Sequence, residues 1–224
     1  MHCKPAHIGL VALFLILAAC SFRTEPQFEV VGNTFDPWSE GRGVTPENAP
    51  LYNVSYWYNL DDSQPFQTVD GSPGKAWLFL DKLNAKPRRG VIIHWSANGN
   101  DGLRGQPDPR GRFTLVNNGM RVFAAYEYCL SPESVRHVPV SVYHYGLWAV
   151  SKGMAESGQL YVKRYIPRIL EGDGSRIDIA YIEDIGIEGH RCSELANFTS
   201  EGPKMRNLMQ QLTNNADQSF DVVN

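Results

Sequence analysis

The stretch Tyr52-Asn53-Val54-Ser55-Tyr56-Trp57-Tyr58 sets Tyr52, Val54, Tyr56 and Tyr58 against Asn53, Ser55 and Trp57 with a period of two. Successive side chains of an extended chain point to opposite faces, so this alternation predicts a strand with an aromatic face. Toward the C-terminus, strand-like runs recur at Ala76 to Leu80, Val91 to Trp95, Phe113 to Val116, Arg121 to Tyr128, Val138 to Tyr145, Leu160 to Ile166 and Arg176 to Ile182. Turn-forming clusters separate most of them, among them Asp70-Gly71-Ser72-Pro73-Gly74, Asn117-Asn118-Gly119 and Gly172-Asp173-Gly174. Short strands punctuated in this way predict a mainly β fold, a β-sandwich or a partly closed barrel. One segment departs from the pattern. Met205, Leu208, Met209 and Leu212 fall at i, i+3, i+4 and i+7 behind Pro203, which predicts a single C-terminal helix. The polar residues from Asn214 onward are expected to fray.

Toward the N-terminus the alternation disappears. Residues 20–50 carry Pro26, Pro37, Pro46 and Pro50 with Gly32, Gly41 and Gly43 between them, and no apolar period survives. They read as a tether draped over a single β-rich domain of residues 51–224, with Phe28, Val30, Val31 and Trp38 as docking points. Residues 1–19 are different again. Met1 to His7 is short and carries one lysine, and Ile8 to Ala19 is an unbroken apolar run too short to span a bilayer as a helix. That is the layout of a secretory signal peptide. The run ends in Leu17-Ala18-Ala19-Cys20, which resembles the lipobox of the bacterial lipoprotein family. The resemblance implies cleavage before Cys20, acylation of its thiol, and a stable lipid anchor, since several acyl chains hold where one does not. Ser21 stands where that family's inner-membrane retention signal would be aspartate. In a Gram-negative cell the implied location is therefore the outer membrane, with the domain in the periplasm or at the cell surface.

The chain has 224 residues, of which 42% are hydrophobic and 11% aromatic, enough for a proper core and too apolar for a disordered polymer. Its formal charge is −3, and Arg88, Arg89, Arg104, Arg110 and Arg112 are scattered among glycine, proline and aspartate. Nucleic acid is not expected as a partner, because phosphate binding needs a concentrated positive footprint.

The chemistry-bearing residues are few. With Cys3 removed in the signal peptide and Cys20 acylated, Cys129 and Cys192 remain, and in an oxidising compartment two leftover cysteines most often pair. The long polar loop from Ser96 to Arg112 is a candidate binding element. Its Asn98, Asn100 and Asp101 lack the spacing of a calcium loop. His144 in Tyr143-His144-Tyr145 followed by Cys192 in Arg191-Cys192-Ser193 resembles the His-then-Cys order of circularly permuted papain-like hydrolases, which implies a thiolate nucleophile with an imidazole base. The separation is shorter than in that family, and no Gly-Asp strand pattern precedes the histidine. Val91-Ile92-Ile93-His94-Trp95-Ser96 is similar to the first strand of zinc-dependent N-acetylmuramoyl-alanine amidases, and Ile185-Gly186-Ile187-Glu188 to a later one. His144 and His190 are further candidates of that resemblance, which lacks its third ligand here. The carboxylate pairs Asp61-Asp62 and Glu183-Asp184 read as solvated edges.

These readings converge on a lipid-anchored outer-membrane protein whose β domain binds an envelope protein or cell-wall glycan, with no cofactor and no metal. An envelope hydrolase, using Cys192 with His144 or zinc at His94, is the competing expectation.

Overall fold

The computed structural model describes residues 28–37, 50–67, 73–81, 86–97, 111–119, 121–132, 138–154, 157–168, 175–195 and 203–223. Cys20, Trp38 and the loop residues 98–110 lie outside them. The strands are β1 (Glu29–Val31), β2 (Thr34–Asp36), β3 (Leu51–Val54), β4 (Tyr58–Gln67), β5 (Pro73–Asp81), β6 (Arg89–Ser96), β7 (Arg112–Asn118), β8 (Arg121–Leu130), β9 (Leu160–Pro167), β10 (Arg176–Asp184) and β11 (Phe220–Val223). The helices are α1 (Val140–Ser151), α2 (Cys192–Leu195) and α3 (Pro203–Asp217). A four-stranded sheet runs β1-β2-β3-β11 and a seven-stranded sheet runs β4-β5-β6-β10-β9-β8-β7. All pairings are antiparallel. The chain is mainly β with a C-terminal helix, as its periodicity predicts, and neither sheet closes into a barrel.

The large sheet is the middle of three layers. One face meets the small sheet and α3 through Trp77, Phe79, Val91, Ile93, Tyr161, Tyr165, Ile179 and Tyr181, packed on Phe35, Tyr52, Leu208, Leu212 and Phe220. The other face meets α1 through Leu78, Ile92, Val162, Ala180 and Ile182, packed on Val142, Tyr145, Trp148 and Ala149. With both faces covered, the central strands β9 and β10 are buried along their whole length. Lys163, fully buried, gives α3 a fixed seat: its Nζ donates to Asp217 Oδ1 at 2.6 Å and lies 3.7 Å from Glu127 Oε1. Thr213 Oγ1 reaches the same Glu127 oxygen at 3.1 Å.

The stretch Tyr52–Tyr58 is two strands and not one. Ser55 to Trp57 turn the chain, with Tyr58 N donating to Ser55 O at 2.9 Å, so that β3 joins the small sheet and β4 the large one. The run Val138–Tyr145, expected as a strand, enters a helix behind Pro139. Its buried residues Val142, Tyr145, Gly146 and Ala149 fall at helical spacing, while Val140, Leu147 and Val150 are apolar on the exposed side and mask that period. The tail does not fray: α3 continues to Asp217, and β11 pairs with β3 along its whole length. In the stretch read as a tether, residues 29–36 form the β1–β2 hairpin of the small sheet. Phe28 packs on Phe35, Trp77 and Trp95, and Val30 on the same core, whereas Val31 faces solvent. At the β7–β8 turn, Gly119 has φ +57°, and a Cβ there would stand 2.2 Å from Val222 O, so the turn and β11 pack as closely as glycine permits.

Four tyrosines of this core have phenol groups pushed above their ordinary range. Burial is the main cause for Tyr58, Tyr161, Tyr165 and Tyr181, with nearby carboxylates adding to it. A folded-state value above the unfolded one means that the native chain holds these protons more tightly. The resulting stability is complete below about pH 10, the unfolded tyrosine value, and is lost as pH rises beyond it. We expect these phenols to ionise together with unfolding in an alkaline titration followed by near-ultraviolet absorbance. Ionisation at ordinary tyrosine pH with circular dichroism unchanged would contradict their placement.

Candidate functional site

Cys129 leaves β8 toward the face of the large sheet that packs on α3, and Cys192 opens α2 on that same side. Their Cα atoms are 5.3 Å apart and their sulfurs 2.10 Å apart, at disulfide distance. His144 lies on α1, across the sheet, with its ring 5.9 Å from Phe66. The sheet thus separates the imidazole from the thiol that the hydrolase resemblance pairs with it.

His94 stands on β6 facing α1. Its Nδ1 is 2.8 Å from Tyr145 Oη, its ring is 4.5 Å from Phe66, and its cross-strand neighbour on β10 is Asp178. Asp178 is held by two arginines. Arg176 Nη2 donates to Asp178 Oδ2 at 3.0 Å, Arg164 Nη2 bonds the same oxygen, and Arg164 Nη1 reaches Ser141 Oγ on α1 at 3.1 Å. All three are about 2% exposed or less. These groups fasten α1 to the sheet. The other amidase-like positions go elsewhere: Gly186–Glu188 is a 3-10 turn and not a strand, Glu188 pairs with Arg88, and His190 Nδ1 faces Glu194 Oε2 at 3.7 Å. Among the described residues no three His, Cys, Asp or Glu side chains converge to hold a metal ion.

The carboxylate pairs have different fates. Asp61 and Asp62 flank Lys152, at 3.4 and 2.8 Å, which ties the end of α1 to β4 and holds the Asp62 carboxyl below its usual value. Glu183 and Asp184 are buried and not solvated. Glu183 accepts from Arg89, Tyr181 and Asn215, and Asp184 Oδ1 accepts from Ser157 Oγ and Gly186 N.

A third place draws its residues from both ends of the chain. A groove of about 550 Å³ opens where the β1–β2 turn, the β3–β4 turn and β11 meet, lined by Asn33, Asn53, Tyr56, Asn59, Gln218 and Asp221 together with Gly32, Val54 and Ser55. Its walls are held by two main-chain bonds, Val54 N to Asn33 O at 2.8 Å and Ser55 N to Ser219 O at 2.9 Å, and by the side-chain amide of Asn33, whose Nδ2 donates to Ser55 O at 2.9 Å. Most tyrosines here are buried, yet Tyr56 is 78% exposed, with its ring 5.1 Å from that of Trp57 in an edge-on arrangement. Among the described residues the lining holds one carboxylate, no cation and several side-chain amides.

No family model, no curated protein and no solved structure matches the chain. The site must therefore be read from its own chemistry. A turn that presents an exposed aromatic ring beside side-chain amides and a single carboxylate is equipped to hold a polar ligand that is not anionic. The signal for it was present in the sequence as Asn53, Tyr56 and Asn59, but Asn33 and Asp221 join them only through pairing of β3 with β2 and β11.

Proposed function

We propose that this protein is an outer-membrane lipoprotein, anchored through Cys20, whose β domain is a binding module of the cell envelope. The observation that carries the binding reading is the groove beside Tyr56: a preorganised aromatic and amide surface on a scaffold whose buried polar residues are engaged in holding helices to the sheet. Sulfurs at disulfide distance support an oxidising compartment. The anchor rests on the resemblance of Leu17-Ala18-Ala19-Cys20 to a lipobox.

Expressed with its own leader, the wild-type chain should fractionate with the outer membrane. Cys20→Ser should remain an unprocessed precursor or move to the soluble periplasmic fraction. Unaltered outer-membrane fractionation of Cys20→Ser sinks the proposal.

A further inference from the structure

The outward face of α3 carries amides where a surface helix ordinarily carries charges. Asn207, Gln210, Gln211, Asn214, Asn215 and Gln218 line a second hollow of about 440 Å³. They recur at intervals of three and four; Asn207, Gln210, Gln211 and Asn214 are exposed on the side away from Leu208, Met209, Leu212 and Ala216, whereas Asn215 is half-buried and donates to Glu183 Oε2 at 3.2 Å. The helix has few charges, Lys204 and Arg206 near its start and Asp217 at its end, and Asp217 reaches inward to Lys163. Gln218 lines both hollows, so the amide face of α3 runs into the groove beside Tyr56.

We infer that these two adjoining hollows together bind a glycan strand built of neutral or N-acetylated sugar units. The inference rests on the binding-module reading and names the ligand class of that site. A side-chain amide offers two N–H donors and a carbonyl acceptor from one planar group, which suits the neighbouring hydroxyl and acetamido groups of a sugar. The exposed face of Tyr56 takes the C–H face of one ring, because the π-cloud is electron-rich and the ring C–H groups are weakly positive. Other ligand classes fit less well. Nucleic acid or another phosphate polymer needs cations, and among the described residues neither hollow has one in its lining. A protein partner needs an apolar or arginine anchor in a desolvated pocket, and here the apolar lining is Val54 and the Tyr56 ring. Two adjoining hollows suit a strand over a single sugar, with Tyr56 in one, Asn207 in the other and Gln218 shared between them.

The test titrates the full acylated protein in detergent micelles with β-1,4-linked N-acetylglucosamine di-, tetra- and hexasaccharides, read by tryptophan fluorescence, since Trp57 touches Tyr56. Affinity should rise with oligomer length. Tyr56→Ala should weaken hexasaccharide binding by about tenfold or more, the loss of one good stacking contact, with the melting temperature unchanged because the ring is exposed. Gln218→Ala, at the residue shared by the two hollows, should weaken hexasaccharide binding and reduce the gain of affinity with length. The assignment is overturned if the wild type binds no oligomer, or if both variants bind as the wild type does. Tyr56-dependent capture of an envelope protein without sugar binding also overturns it, while leaving the anchored binding module standing. The anchoring reading fails on its own result, the fractionation of Cys20→Ser.

Discussion

Cys192→Ala is expected to lower the stability of the folded chain by about 4 kcal/mol, and Cys129→Ala by the same amount. The two residues are 63 apart in sequence, so a bond between them removes the closure entropy of a long loop from the unfolded ensemble. The bond also joins the end of β8 to α2, the short helix that follows β10, and Cys192 N is held separately by Gln159 Oε1 at 2.8 Å. Because either substitution breaks the same bond, the double variant should be no less stable than either single one, a strong departure from additivity. Denaturant unfolding without reductant measures all three, and a thiol reagent applied to native protein purified without reductant should leave Cys129 and Cys192 unmodified. Unequal losses from the two single variants, or a titratable thiol before reduction, would show that the sulfurs act separately.

Asp178→Asn is the second substitution with a large expected effect, about 3–5 kcal/mol of stability. The amide nearly preserves the shape of the carboxylate, so packing is little disturbed and the loss is electrostatic. Arg164 and Arg176 would remain buried without the negative charge they share. The internal control is Glu188→Gln. That residue pairs with Arg88 at 2.8 Å, but both side chains are more than a third exposed, and an ion pair of that kind contributes about 0–1 kcal/mol. Equal losses for the two substitutions in chemical denaturation would mean that the Asp178 cluster is not behaving as a buried ion pair.

The strands that sequence alone located share one property: their apolar residues are either alternating or unbroken. Ala76 to Leu80 and, but for His94, Val91 to Trp95 lie within β5 and β6 because a sheet covered on both faces asks for continuous apolar residues, and in Leu160 to Ile166 of β9 the run is interrupted only by Lys163 and Arg164, which are buried in ion pairs. The Met205–Leu212 stripe marks α3 for the corresponding helical reason. What escaped was decided by position in the fold. Asp61 to Pro65 is too polar to read as a strand, but β4 is an edge with a bulge between Leu60 and Asp62, where charge and proline are tolerated. Helix α1 was hidden by Val140, Leu147 and Val150, which add apolar residues outside its buried stripe. The small-sheet strands β1, β2 and β11 are three or four residues long, too short to show a period. The groove was hidden for the same reason, since its walls come from both ends of the chain.

The order β4-β5-β6-β10-β9-β8-β7 has a kinetic corollary. Strands β4 to β6 form one meander and β7 to β10 another, each assembled mostly from sequence neighbours, and a single seam, β6 against β10, joins them. That seam pairs Arg89 with Glu183 and Ser96 with Arg176, residues eighty or more positions apart in the chain. Closure over such a distance comes late and slowly, because the entropy of the intervening loop is lost before the pairing returns anything. The chain emerges N-terminus first, so Val91 to Trp95 waits as an unpaired apolar edge until β10 arrives. During that interval a growing chain is most exposed to edge-to-edge association with another copy. Cys129 and Cys192 both lie beyond β7, so their bond confines the later meander without requiring the earlier one, and because Cys192 follows β10 it can form only once that strand is present.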